Sequence, residues 1–237
     1  MATQARVPVT QQNTYVAIAF IAAVVVFAGF ARTFFLNSVF ARRDLGGLRV
    51  VHGIVFASWF ALVIAQTTLV ARNRVRLHQR LGYAGMFLAL AMIVVGLGLA
   101  LNAAKYGFQT PGLPPAIIFV TVPFFDIVVF TLLVGAAFLY RNRPETHKRL
   151  MVLATLSILP PAIARIPLDF ILKTVPLSAF GIGSVIVIAC IAYDYAQHRR
   201  LHPAYLWGGL LIILSFPLRL IVAGTPAWQA FARWMIG

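Results

Sequence analysis

The sequence predicts an all-helical integral membrane bundle of seven transmembrane helices, on three observations. Only 11% of its 237 residues are charged, against about 25% in ordinary soluble domains. Its apolar residues gather into seven runs, each near the ~20 residues that a helix needs to cross a hydrocarbon core of about 30 Å. Those runs lack the two-residue alternation of barrel strands, and unpaired backbone groups are too costly in lipid for anything but helices or closed barrels.

The first run, Thr14–Leu36, is flanked by a single basic residue, Arg6, and is longer than the apolar part of a secretory signal, so it reads as the first spanning helix. The second is Leu48–Val70 and the third Leu81–Ala103, separated by the basic junction ARNRVRLHQRL. The fourth, Pro115–Tyr140, carries Asp126 and Pro123 and ends in a second basic junction, YRNRPETHKRL. The fifth, Leu150–Phe170, contains Pro160, Pro161, Pro167 and Arg165; each proline frees a carbonyl one turn back and kinks a helix. The sixth, Val175–Tyr195, holds the single cysteine, Cys190, which excludes an intrachain disulfide and a cysteine-based metal cage. The seventh, Ala204–Gly224, carries Pro217 and Arg219. Residues 226–236 place Trp228, Phe231 and Met235 on one helical face, the pattern of an interfacial helix. Residues 1–237 thus read as one transmembrane domain.

The net charge of +15 is unevenly placed. Alternate loops put Arg6, Arg72, Arg74, Arg76, Arg80, Arg141, Arg143, Lys148, Arg149, Arg199 and Arg200 on one side, and Arg42, Arg43, Arg49, Lys105, Lys173 and Arg233 on the other. The positive-inside rule then predicts a cytoplasmic N-terminus and an external C-terminus, as in a bacterial inner membrane, although ARRDLGGLR in the first outer loop pulls the other way. Because these basic residues flank spanning helices, the expected partners are anionic lipid headgroups, not nucleic acid.

The two junctions, Ala71–Leu81 and Tyr140–Leu150, align without a gap and share Arg-Asn-Arg, a histidine and Arg-Leu. FALVIAQTTLV before one and FTLLVGAAFLY before the other extend the likeness, which predicts a repeated helical hairpin in one orientation. A third junction, AQHRRLHPAYLWG, offers either His198 or His202 to the same alignment. Asn142 with Glu145 fits a capping box, with Pro144 in the first turn, and Asn73 is the equivalent cap before the third run. His78 and His147 then stand at one depth, where the positive helix end favours the neutral, ligand-competent imidazole. They are the candidate ligands for one haem b or a metal ion, with His202 a weaker third. The plain alternative is that each bonds a lipid phosphate or a neighbouring loop. Only His52 lies toward the opposite surface, so the four-histidine pattern of two-haem cytochromes is not met.

A second set of polar residues lies deeper: Arg32, His52, Asp126, Arg165 and Arg219, with Asp169 near the outer interface. Ionisable residues at membrane depth mark function by default, and the expected contact is an Asp126–Arg165 pair between consecutive helices. The excess of arginine suits an anionic group such as a headgroup, a carboxylate or haem propionates; the alternative is that the arginines snorkel outward. Gln66, Tyr193, Asp194 and Tyr195 lie at helix ends, where no special role is required. Gly96-x-Gly98 and Gly181-x-Gly183 read as close-packing sites. No phosphate-binding loop, nucleophile elbow or Cys-x-x-Cys occurs, and the seventh run has no lysine for a retinal Schiff base.

RLHQRLG, followed by ETHKRLM and then Arg165, resembles bacterial multi-pass membrane proteins of unknown function with histidine-bearing helix starts. The matching positions are His78, Leu81 and Gly82, then His147 and Arg165, with Leu150–Met151 shifting the second element by one. The resemblance implies no activity; it marks His78, His147 and Arg165 as positions to test. Three functions stay open: a redox protein or enzyme holding one haem or metal; a non-catalytic subunit or assembly factor of a larger membrane complex; and a transporter or lipid-handling protein using Asp126, Arg165 and Arg219.

Overall fold

The computed structural model describes residues 9–42, 44–106 and 115–237, and every regular element among them is helical. Arg6 and Arg43, which entered the charge count, lie outside the described residues. In chain order the helices are α1 (Val9–Phe30), continued by a π-helical turn over Ala31–Phe35, α2 (Asn37–Phe40), α3 (Gly47–Ala71), α4 (Val75–Tyr106), α5 (Ala116–Phe119) and α6 (Thr121–Leu139). They continue with α7 (Pro144–Ser157), α8 (Pro160–Ile163), α9 (Asp169–Thr174), α10 (Leu177–His198), α11 (Pro203–Ala223) and α12 (Pro226–Ile236).

Six segments are long and apolar enough to cross a membrane: Asn13–Phe35, Gly47–Ala71, Val75–Tyr106, Ala116–Leu139, Leu177–His198 and Pro203–Ala223. Their outward faces carry Phe87, Leu139 and Ile221 and many other exposed large apolar side chains. Such a surface suits lipid and would be an aggregation liability in water. The chain is an integral membrane protein.

The fifth apolar run is not one long helix. α7 ends at Ser157, Pro160 opens the single turn of α8, and residues 164–168 are irregular before α9. Two adjacent prolines remove two backbone donors and crowd the preceding turn, so the run breaks where a lone proline only bends. Pro217, alone inside α11, leaves that helix continuous, and Pro123 sits in the first turn of α6, where no helical donor is lost.

The broken run is the hub of the fold. Around it α1 packs on α3, α3 on α4, α4 on α6, α6 on α11 and α11 on α10, while α8 closes the ring between α10 and α1. α7 stands inside against α1, α6, α10 and α11, and Val152–Ser157 are buried without interruption. α3 reaches the hub through Trp59, wholly buried, whose indole N–H donates to Thr155 Oγ1 at 3.3 Å and whose ring meets Phe130 edge-on. α1 comes close to α8 because residue 29 is glycine: a Cβ there would overlap the Ala162 carbonyl. Of the four glycines expected to serve close packing, Gly96 does so tightly, against Ile127, while Gly98 and Gly181 face open space.

Candidate functional site

Seven helix ends converge on one end of the bundle. The starts of α1, α4, α7 and α11 meet the ends of α3, α6 and α10 there, through the side-chain contacts that follow. Every histidine except His52 belongs to this end.

The two repeated junctions build the same local geometry. Val75 and Pro144 are the first residues of their helices, so His78 and His147 both occupy the fourth helical position. Each N–H bonds back to an arginine carbonyl, Arg74 and Arg143 respectively. The expected asparagine caps are not how this comes about. The residue flanking α7 is Arg143, with no side-chain cap, and the Glu145 carboxylate turns to Lys148 and Arg149 instead. Asn73 adopts φ 58°, the left-handed conformation that ends α3, for which asparagine is the best non-glycine residue. Pro144 and the arginine carbonyls suffice to start the helices.

The imidazoles of His78 and His147 meet edge-on, with ring centres 6.3 Å apart and planes 74° apart. His147 Nδ1 is 2.8 Å from the Ala137 carbonyl. A carbonyl only accepts, so Nδ1 carries the proton and Nε2 presents a lone pair. His78 is held by Gln66 of α3. The Gln66 amide is oriented so that its oxygen accepts from the Gly82 N–H at 3.1 Å and its NH2 donates to His78 Nδ1 at 2.7 Å. Both Nδ1 atoms are therefore engaged by the protein, but in opposite senses: His147 Nε2 presents a lone pair, whereas His78, accepting at Nδ1, carries its proton on Nε2. Gln66, which the sequence offered only as a helix-end residue, positions the first histidine.

Beside this pair, Arg149 is 2% exposed. Its Nε and Nη2 grip the Asp194 carboxylate at 2.7–3.1 Å, and its Nη1 donates to the Glu145 carboxylate at 2.7 Å and carbonyl at 2.8 Å. The guanidinium also lies 5.8 Å from the Tyr205 ring, and the Lys148 ammonium lies over Tyr15. α7, α10, α11 and α1 are joined by these contacts. His198 Nδ1 donates to the Asp194 carbonyl at 2.8 Å. The sequence counted Arg149 among the lipid-facing flank charges, yet it is an interior residue.

The third junction departs from the other two. Pro203 opens α11, so the fourth helical position is Leu206, and neither His198 nor His202 matches it. His202 is instead the N-cap, its Nδ1 accepting from the Ala204 N–H at 3.1 Å. Burial, and then the Arg149 charge, lower its pKa from the ordinary value. A folded state that prefers neutral His202 gains stability above the unfolded pKa of about 6.5 and loses it as pH falls through the lower folded value. Stability is thus expected to drop below neutrality by about the ~1 kcal/mol of a cap. Thermal unfolding of His202→Asn, which keeps the cap without titrating, is expected to show a shallower acid limb than the native chain.

The deeper polar residues separate into two groups. Asp126 pairs with Arg219 of α11 at 2.7 Å, not with Arg165. Both are buried, and Arg219 also donates to the Ser215 carbonyl and hydroxyl and lies 4.5 Å from the Phe180 ring. A cavity of about 10 Å³ next to Arg219 is lined by Ser157, Ser184 and Ser215, room for about one water. The expected Asp126–Arg165 contact assumed an unbroken helix, whereas Arg165 follows the break after Ser157 and α11, not α8, packs on α6. Arg165 is exposed, donates to the Pro161 carbonyl and lies over Phe30; Arg32 is exposed in the π-helical turn, and His52 stacks on Phe56.

Among the described residues, no group of three or more His, Cys, Asp and Glu side chains is placed to hold a metal ion. No protein-family model, curated protein or solved structure matches this chain.

Proposed function

We propose that this chain is a membrane redox protein that holds one haem or metal ion at the converging end of the bundle, between His78 and His147. The carrying observation is the 6.3 Å separation of two imidazole centres whose Nδ1 atoms are both engaged. Two imidazoles bound to one metal from opposite sides, at about 2.0–2.1 Å per bond, stand roughly 6 Å apart centre to centre. At that spacing His78 and His147 are the two residues that would hold such a group. With no third protein donor in reach among the described residues, a group held here would need its further donors from outside the chain, as a haem would have and a closed zinc site would not.

His147 is already in the ligand tautomer. His78 reaches it when the Gln66 amide turns and accepts from Nδ1, so Gln66 sets whether the first histidine binds. Bound there, the group supplies one-electron transfer. The chain supplies orientation through Ala137 and Gln66, and positive charge through Lys148 and the junction arginines.

In the same reading α7, α8 and α9 complete a seventh crossing as a broken helix, since α7 starts and α10 ends at the same end of the bundle. The likeness of the two junctions supports reading α3–α4 and α6–α7 as a repeat, and their excess of basic residues supports a cytoplasmic side, in a bacterial inner membrane, for the histidine end. α12, with buried Trp228 and exposed Trp234, lies in the opposite interface.

The test is a reduced-minus-oxidised absorption spectrum with metal analysis on detergent-purified protein. A Soret band, or about one metal per chain, is expected; folded protein that is colourless and metal-free overturns the proposal.

A further inference from the structure

The far end of the bundle carries positive charge for which the redox reading has no use. Gly29 brings α1 onto Ala162, so Arg165, three residues further along, lies over the Phe30 ring at 4.9 Å. The π-helical turn Ala31–Phe35 follows at once and carries Arg32, whose guanidinium is 5.8 Å from the Phe40 ring centre. On the other side of that turn the Phe34 ring fills the space beside Gly53 of α3, next to His52, which is within electrostatic reach of Arg165. One backbone irregularity is thus bracketed by Arg165 and His52 and contains Arg32.

Among the described residues no carboxylate pairs with Arg165 or Arg32: Asp126 is taken by Arg219, Asp169 by Lys173, Asp194 by Arg149 and Glu145 by Lys148 and Arg149, while Asp44 accepts from the Gly46 N–H. Both arginines are exposed on an otherwise apolar, lipid-facing surface. Arg32 lies 18 residues beyond Thr14, about 27 Å along the helix, from the end where Thr14 meets Tyr193. That is nearly a full hydrocarbon thickness, which brings headgroup phosphates within reach of a long arginine stem. Arginine presents a planar fork of donors that matches a phosphate, and its stem and aromatic neighbours keep it in place at the interface. Short π-helical segments recur at functional sites because they re-aim side chains and leave carbonyls free.

We propose that Arg165 and Arg32, with His52 beside them, form a binding site for the phosphate group of an anionic phospholipid in the leaflet opposite the histidine pair. The site is independent of any group held by His78 and His147.

The experiment is thermal unfolding of the full-length protein in mild detergent with added phosphatidylglycerol, phosphatidylcholine or inorganic phosphate. Four chains are compared: native, Arg165→Gln, the double variant Arg32→Gln/Arg165→Gln, and a control double variant at the other end, Arg72→Gln/Arg76→Gln. Phosphatidylglycerol is expected to raise the native Tm by several degrees more than phosphatidylcholine. The control is expected to keep that difference and the double variant to lose it. An equal response to the two lipids in the native chain overturns the site. So does a lipid preference that survives in the double variant, or one lost equally in the control. A rise produced as well by inorganic phosphate overturns the lipid as its ligand. Should the variants not fold, native mass spectrometry of the unaltered protein decides: retained phosphatidylglycerol in preference to phosphatidylcholine supports the site, and equal retention overturns it.

Discussion

Replacing Arg149 by leucine is expected to cost about 3–5 kcal/mol of stability, the usual consequence of removing one partner from a buried ion pair. The loss comes less from the missing hydrogen bonds than from what they leave behind. Asp194, 5% exposed, keeps its charge and its burial but loses a two-pronged partner at 2.7–3.1 Å. Asp194→Leu is expected to be comparably damaging, because the stranded guanidinium then has only Glu145. The double variant Arg149→Leu/Asp194→Leu strands neither charge and is expected to recover most of the loss, since a buried pair is often no better than well-packed apolar side chains. Reversible unfolding in mixed micelles of the four chains closes the cycle. A single variant as stable as the native chain would show that water already reaches the pair.

The second large effect concerns His147. If His78 and His147 hold a haem or metal ion, His147→Ala is expected to remove its absorption band or metal outright. The fold is expected to survive, because the ring is only half-buried and makes one bond, to the Ala137 carbonyl, worth about 1 kcal/mol. Gln66→Leu tests the same site differently. It leaves both ligands in place but removes the group that orients His78, a change that typically weakens metal affinity by about 10–100-fold. Gln66→Glu, which can only accept from His78 Nδ1, is expected to hold the ligand tautomer and bind at least as tightly as the native chain. Titration of stripped protein with haem, followed by difference absorption, separates the three. Unchanged binding in His147→Ala rejects this assignment while leaving the ion-pair argument untouched.

How much of this was legible in the sequence depended on the range of the interaction. Six of the seven apolar runs form long helices, because a continuous run of spanning length has one solution in lipid. The fifth run was misread because a proline count does not distinguish a kink from a break; the adjacency of Pro160 and Pro161 was the signal. The common position of His78 and His147 followed from the gapless alignment of the junctions, although the asparagines were credited with starting helices that the arginine carbonyls start. Partners across the bundle are the least legible: chain proximity points Asp126 to Arg165, and flanking position points Arg149 to the lipid surface, whereas packing pairs them with Arg219 and Asp194. A stronger clue lay in the count of acidic residues. With only five in the whole chain, each one at membrane depth needs a specific cation, and Asp194 is one of them.

The central position of α7 has a consequence for how the protein is made. The helix carries Glu145, Lys148 and Arg149 and has no side left over for lipid, yet the acid that neutralises Arg149 is synthesised 45 residues later. Asp126 waits longer still, since Arg219 lies 93 residues downstream. Until α10 and α11 arrive, Arg149 has only Glu145 and Asp126 has no cation. The last two long helices therefore complete the pairing of both buried charges, and the interior of the bundle is finished only when the chain is nearly whole.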